Sequence, residues 1–347
     1  MIKSFLQSFL RYLFLLYLKL RPKRNHFRNF KDLNFKQNDF INYKIVKHYA
    51  LRDNFINNTS ILDIHTFNFL LFYQKLGGKK GIELSKKNIF LWFTKYKYYK
   101  KFPWTDDYSS KRFINIIYNY DFICSISNQK EIKFINYIIN FHIRRITFEI
   151  KRKKIENISS YEILALTLTE CCKNNLNALT VRKIKDLTNS QLDESSMHKS
   201  YNILEHAKFL NNLIEIKNIF LFVNSKIPQS INNTVLAMTS LLKAYKHEDL
   251  SLPLFNGCNN NHNKTVQNIF EKEQFLKTNA LKKFRNGIAI YKDVNKTLFF
   301  DVVKPTKYEF HKELSAGTLA IEFSAEGEKI ITNCGGTEGS GKNPAYL

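Results

Sequence analysis

Glycine is spread so unevenly along this chain of 347 residues that it constrains the architecture more than any other feature. Of eleven glycines, Gly77, Gly78 and Gly81 lie together, Gly257 stands alone, and seven fall from Gly287 onward; none lies between residues 82 and 256. Helix interiors avoid glycine because its backbone loses the most freedom on folding, whereas tight β-turns need its access to positive φ. The distribution predicts helices to about residue 280 and β-structure over 283–347.

Periodicity fills in the elements. Ile61 to Leu76 repeats apolar residues at three-to-four spacing and reads as one helix, stopped by Gly77 and Gly78. Ser85 is expected to cap a helix over Lys86 to Lys101. Thr105 or Asp106 opens a helix through Tyr118, and Ile132 to Ile155 is a long one. Ser159 and Glu162 have the spacing of a capping box, opening a helix to Asn174. Asn177 to Leu187, His198 to Phe222, Ser230 to Tyr245 and Gln267 to Lys283 complete the helical set. With no heptad and no fixed-period repeat, helices of this length suggest an α/α toroid or helical array.

Beyond Arg285 the period changes to two. Gly287 to Tyr291 and Thr297 to Val303 read as strands joined by a turn at Asp293 to Asn295; Thr318 to Phe323 and Lys329 to Asn333 form a second pair around Ala325 to Glu328, with Gly327 free for positive φ. The fold class is α+β multidomain. Residues 1–50 are a basic amphipathic segment, 51–282 an α/α toroid-like helical domain, and 283–347 the first strands of an antiparallel β-sandwich. Four strands leave open edges and a sandwich needs more, so the chain reads as C-terminally truncated within its second domain.

Charge narrows the partners. The formal net charge is +24, and residues 1–101 carry 21 Lys and Arg against 5 Asp and Glu. A basic segment suits an anionic partner: an acidic glycan, a nucleic acid or a phospholipid surface; a solvated lysine-rich surface is the plain alternative. The opening stretch has Leu, Phe and Tyr at helical spacing, but Arg11 interrupts it and no small-residue cleavage site follows. It reads as an amphipathic interfacial or packed helix, able to touch a membrane surface, rather than a cleavable signal or a spanning helix. Cys124, Cys171, Cys172, Cys258 and Cys334 are odd in number and irregular in spacing, so they suggest neither a disulfide framework nor a zinc site. No carboxylate or histidine cluster argues for a metal. Gly339, Ser340 and Gly341 form a flexible turn, not a serine-hydrolase nucleophile motif. Lys95 to Lys101 is basic and aromatic enough to stack bases, but no nucleic-acid-binding fingerprint accompanies it, so nucleic acid is an unlikely partner.

Four segments carry a family resemblance. Leu314 to Ser324 (LSAGTLAIEFS) followed by Ile331 to Gly335 (ITNCG) resembles the opening strands of the β-sandwich in bacterial heparinase II/III-like polysaccharide lyases. Trp104 to Asn115 is similar to a tryptophan–arginine–asparagine segment of their toroid, and Asp193 to Asn202 is similar to a loop that carries a histidine. Asp249 to Gly257 (DLSLPLFNG) is similar to their D-G-x-L-P-L-F-N-G segment. The resemblance covers about residues 55–347 and keeps the order.

The resemblance implies a lyase that cleaves an acidic, uronate-containing polysaccharide by β-elimination, without cofactor or metal, in the periplasm or cell envelope. That reaction removes the C5 proton of a uronic acid and expels the O4 substituent. The carboxylate must be neutralised, and a Tyr or His must move the proton. The family's loop histidine falls on Ser196 and its sandwich histidine on Ser315. His198 and His311 lie close to these positions and are the substitutes. Tyr201, one turn into the following helix, is either a proton shuttle or a packing residue. Trp104 either stacks on a sugar or is buried, Arg112 pairs with an acid or a glycan carboxylate, and Asn256 binds a carboxylate or forms a turn. His65, His206 and His247 read as structural. A catalytically inactive glycan-binding or envelope-assembly protein on the same scaffold is the alternative.

Overall fold

The computed structural model describes residues 61–98, 102–150, 152–173, 176, 178–249, 251–258, 283–284, 287–303 and 319–335, with the single positions 13, 266 and 269. The basic N-terminal segment, most of Gln267 to Lys283, His311, Ser315 and Ser340 lie outside them. The chain divides into two compact units, Met1–Lys183 with Ile219–Ser225, and Ile184–Asn218 with Lys226–Leu347.

The first unit is helical in its described part: α1 (Ile61–Thr66), α2 (Phe69–Leu76), α3 (Gly78–Tyr96), α4 (Asp106–Tyr118), α5 (Tyr120–Cys124), α6 (Gln129–Ile150) and α7 (Ser160–Cys172). α4 packs against α1, α6 and α7, and α2 against α3. Two expectations change here. Ile61 to Leu76 is not one helix, because Phe67 takes φ 61° and breaks it. The break is stabilised from elsewhere in the unit. Phe67 is fully buried with its ring 5.2 Å from that of Trp92, and Asn115 Nδ2 donates to the Thr66 carbonyl at 2.8 Å. Ser85 is no cap either. α3 begins seven residues earlier at Gly78, and Ser85 Oγ donates to the Gly81 carbonyl within the helix. At Gly81 α3 lies against the α2 backbone, since a Cβ there would sit 2.4 Å from the Tyr73 carbonyl oxygen.

α7 starts as its sequence predicts. Ser159 Oγ accepts from the Glu162 amide and Glu162 Oε2 accepts from the Ser159 amide, a complete capping box. Glu162 also receives Lys153 Nζ, which bonds Asp106 at 2.8 Å. Ser159→Ala is expected to cost about 1 kcal/mol of stability, the usual loss for such a cap, measured by urea titration of helical ellipticity.

Helices α8 (Ala178–Gln191) and α9 (Ile203–Phe222) each contribute to both units, and α10 (Gln229–Ala244) belongs to the second. The second unit also holds one antiparallel sheet in the order β1-β2-β3-β4-β5: β1 (Lys283–Phe284), β2 (Ile288–Asp293), β3 (Lys296–Asp301), β4 (Ile321–Ala325) and β5 (Glu328–Ile331). This is the expected meander with a two-residue strand added at its start. β4 begins at Ile321 rather than Thr318, because Leu319 takes φ 66°. The β4–β5 turn has Glu326 at φ 54° and Gly327 at φ 82°, the doubly left-handed pair that matches strand twist in a two-residue hairpin. Alternation puts Ile288, Ile290, Thr297, Phe299, Asp301, Glu322 and Ser324 on the buried face.

Candidate active site

The site candidates of the second unit gather around a turn built by one carboxylate. Past α8, Leu192 pairs with His198, the Asp193 amide donates to the Met197 carbonyl at 2.8 Å, and the Lys199 amide to the Gln191 carbonyl at 2.9 Å. Asp193 Oδ1 accepts from the Ser195 amide at 2.9 Å, Ser195 Oγ at 2.6 Å and the Met197 amide at 2.9 Å. A short acidic side chain suits this place because it reaches the amides two and four residues ahead. Ser196 sits within the turn at φ 66°.

Tyr201 follows, and it is not helical as expected. Asn202 is the cap of α9, its Oδ1 accepting from the Leu204 amide at 2.9 Å and the Glu205 amide at 3.1 Å. The asparagine therefore starts the helix at Ile203 and leaves His198 and Tyr201 in the preceding loop. Tyr201 takes φ 51°, a left-handed conformation costly for an aromatic residue. Three chain segments hold it there. Its hydroxyl donates to Asp193 Oδ2 at 3.1 Å, its amide to the His198 carbonyl at 2.8 Å, and its carbonyl accepts a long 3.4 Å bond from Asn256 Nδ2. Its ring lies against the Cα of Gly287 so closely that a Cβ there would be 2.4 Å from Cε1.

Asn256 ties the loops together. Its Nδ2 also donates to Asp301 Oδ2 at 3.2 Å, and its carbonyl accepts from Asn202 Nδ2 at 2.9 Å. Asp301 is fully buried at the end of β3 and accepts the Val303 amide at 2.9 Å. Burial raises the Asp301 carboxyl, partly offset by those two bonds. Burial, then the charge and hydrogen bond of Asp193, pushes the Tyr201 phenol up to about 12. Tyr245 Oη donates to the Ile288 carbonyl at 3.3 Å, and its phenol is raised by burial and by Asp193, Tyr201 and Asp301.

His198 is held within its own turn. Its Nδ1 accepts from the Ser200 amide at 3.3 Å and lies 2.7 Å from Ser200 Oγ, and its ring is 5.7 Å from Phe209. Burial lowers it to about 4, so it is neutral at pH 7 and engaged within its own turn.

Neither a protein-family model nor a curated protein sequence matches the chain. Solved structures do. The crystal structure of heparinase III aligns with a TM-score of 0.65 at 12% identity, over 96% of this chain and 64% of that one. Heparan sulfate lyase HepC from Pedobacter heparinus aligns at 0.54 and 13% identity, over 94% and 60%. A further heparinase III gene product aligns at 0.57 and 12%, over 93% and 61%. This chain has a heparinase III-like fold. It spans about three-fifths of the length of those structures.

Within this heparinase III-like scaffold, Trp104 takes the buried one of its two expected places, and Arg112 bonds carbonyls and a histidine of the first unit rather than an acid. Trp104 is buried, its Nε1 donating to the Tyr96 carbonyl at 2.6 Å. Arg112 is fully buried. Its Nε donates to His142 Nε2 at 2.9 Å, its Nη1 to the carbonyls of His65 at 2.5 Å and Pro103 at 3.1 Å, and its Nη2 to Ser109 Oγ at 3.3 Å. Its guanidinium lies 4.0 Å from the Trp92 ring centroid and 4.7 Å from that of Trp104. Burial, then Arg112, depresses His142 and His65, which lets both imidazoles accept: His142 Nε2 from Arg112, His65 Nδ1 from Trp92 at 2.9 Å.

The resembling segments of the second unit converge on Glu322, which sequence reasoning passed over. Its Oε1 accepts from the Leu254 amide at 2.8 Å, the Asn333 amide at 3.2 Å and Asn333 Nδ2 at 3.3 Å. Its Oε2 pairs with His247 Nε2 at 2.9 Å, and His247 Nδ1 lies 2.9 Å from Ser324 Oγ. The L-P-L-F-N-G segment, β4 and the stretch after β5 are thus clamped by one carboxylate. Asp193 was missed as well, although Asp-x-Ser recurs: Asp249 Oδ1 receives the Ser251 amide at 2.9 Å and Ser251 Oγ at 2.6 Å.

Proposed function

We propose that this protein is a lyase for an acidic, uronate-containing polysaccharide, acting by β-elimination with Tyr201 moving the proton. The observation that carries the reading is the way Tyr201 is held: three segments fix its hydroxyl, its backbone and its ring in a strained conformation, half-buried. Strain of this kind collects where geometry matters for chemistry. The solved structures of similar fold include a heparan sulfate lyase, which suits such a substrate. For Asn256 to meet the sugar carboxylate, its Nδ2 would have to leave the Tyr201 carbonyl or Asp301 Oδ2, which it bonds here. A polymer substrate of this kind would suit a protein of the cell envelope or periplasm, and that location is part of the proposal. Among the described residues no helix is long and apolar enough to cross a membrane, and contact with a membrane surface would fall to the N-terminal segment.

The test is incubation with heparan sulfate, hyaluronan and alginate, following the ultraviolet absorbance of the unsaturated uronate. Turnover on one of them is expected, reduced by about 100-fold or more in Tyr201→Phe, the usual loss of an acid–base group. Silence on every acidic glycan removes the enzyme reading.

A second reading, a glycan-binding protein without turnover, is favoured by Ser196, a residue with no basicity at neutral pH, and by the inward engagement of His198. Binding of the same glycans with no absorbance change supports it.

A further inference from the structure

We propose that Asp193 is the positioning residue behind Tyr201: Oδ1 builds the turn, while Oδ2 holds the phenolic proton and takes it up when the phenolic oxygen accepts one from substrate. This rests on the reading of Tyr201 as the proton-moving group. The two oxygens of Asp193 have separate duties. Oδ1 receives Ser195 and Met197, and Oδ2 receives only the Tyr201 hydroxyl among the bonds described. With its proton committed to Oδ2, the phenolic oxygen can offer lone pairs to an incoming group.

The step balances without an outside base. The C5–H bond breaks as a new O–H bond forms at Tyr201 Oη, and the original phenolic proton crosses to Asp193 Oδ2. The electron pair left on C5 forms the C4–C5 double bond as the C4–O4 bond breaks. O4 takes a proton from Tyr201 Oη, and Asp193 returns its own to that oxygen. Both residues end as they began. The pair thus supplies a base where Ser196 stands at the place of a histidine.

Among the described residues, the ionisable groups around Tyr201 are Asp193 from the turn, His198 from the same loop, Tyr245 after α10, and Asp301 from the end of β3, linked through Asn256. Asp193 is the one that bonds the phenol.

Asp193→Asn separates the two duties. Its amide oxygen still accepts the Ser195 and Met197 amides, but its NH2 cannot accept from a hydroxyl. The absorbance of tyrosinate, taken as the difference between each protein and its Tyr201→Phe counterpart, isolates Tyr201 among 18 tyrosines. In the parent the midpoint is expected near 12. In Asp193→Asn it is expected lower, toward the ordinary phenol value of about 10. Turnover on the responsive glycan is expected to fall by about 100-fold or more, with thermal melting unchanged. An unmoved midpoint, or turnover within about tenfold of the parent, overturns the proposal. If the asparagine variant melts early, Tyr201→Phe, which leaves Oδ1 and its turn intact, decides instead: retained turnover overturns the pairing. If the parent is silent on every glycan, the lyase reading falls by itself, and the midpoint shift alone decides whether Asp193 holds the proton.

Discussion

Gly287→Ala is expected to destabilise the second unit by about 3 kcal/mol and to displace Tyr201. Two costs combine. Gly287 has φ +88°, where a side chain costs about 1–2 kcal/mol. The new Cβ would also lie 2.4 Å and 2.5 Å from two ring carbons of Tyr201, with Val303 Cγ2 at 3.3 Å. Forcing extra volume into such a contact costs about 1–3 kcal/mol. Hydrogen exchange of the paired β2 and β3 amides reads the loss directly. A double variant tells the two costs apart. With Tyr201→Ala in the same chain the steric part disappears, and only the backbone cost of about 1–2 kcal/mol remains attributable to position 287. Purely additive effects would mean that the ring does not rest on Gly287.

Glu322→Ala is expected to cost about 3–5 kcal/mol, the range for removing one partner of a buried pair. It leaves His247 Nε2, the Leu254 amide and Asn333 without their shared acceptor in a fully buried place. Burial alone would raise the Glu322 carboxyl. The bonds from His247, Leu254 and Asn333 outweigh it and hold the group below its ordinary 4.5. The unfolded chain therefore binds the proton more readily, and stability rises with pH across the interval between the folded and unfolded values. The contribution is complete above about 4.5 and is lost as pH falls through the folded value. Urea midpoints between pH 2.5 and 6 should show this slope in the parent and a flatter profile in Glu322→Gln. Equal slopes would remove Glu322 from the acid response.

How far the sequence could be read depended on whether the decisive contact was local. The Ser159–Glu162 capping box and the Thr105-to-Tyr118 helix were legible because each signal spans a few neighbouring residues. The glycine distribution pointed to a helical part followed by β-structure through composition, since helix interiors avoid glycine and tight turns need it. The break at Phe67 was not legible, since Asn115 and Trp92, remote in sequence, stabilise it. Tyr201 was misplaced into a helix because two residues, His198 and Asn202, lie where a helix could begin, and only the bonds of Asn202 show which one caps. Arg112 looked like an anion contact because sequence does not reveal that carbonyls and indole faces surround it. Asp193 was within reach: its Asp-x-Ser spacing is repeated at Asp249, and in both places the carboxylate closes a turn.

The pairing of the two indoles beside Arg112 has a spectroscopic consequence. The chain has two tryptophans, Trp92 and Trp104, and both belong to the first unit. Intrinsic emission excited at the red edge therefore reports on the surroundings of that unit's core. Paired with a probe placed on β3, the same sample would report each half of the molecule in its own colour.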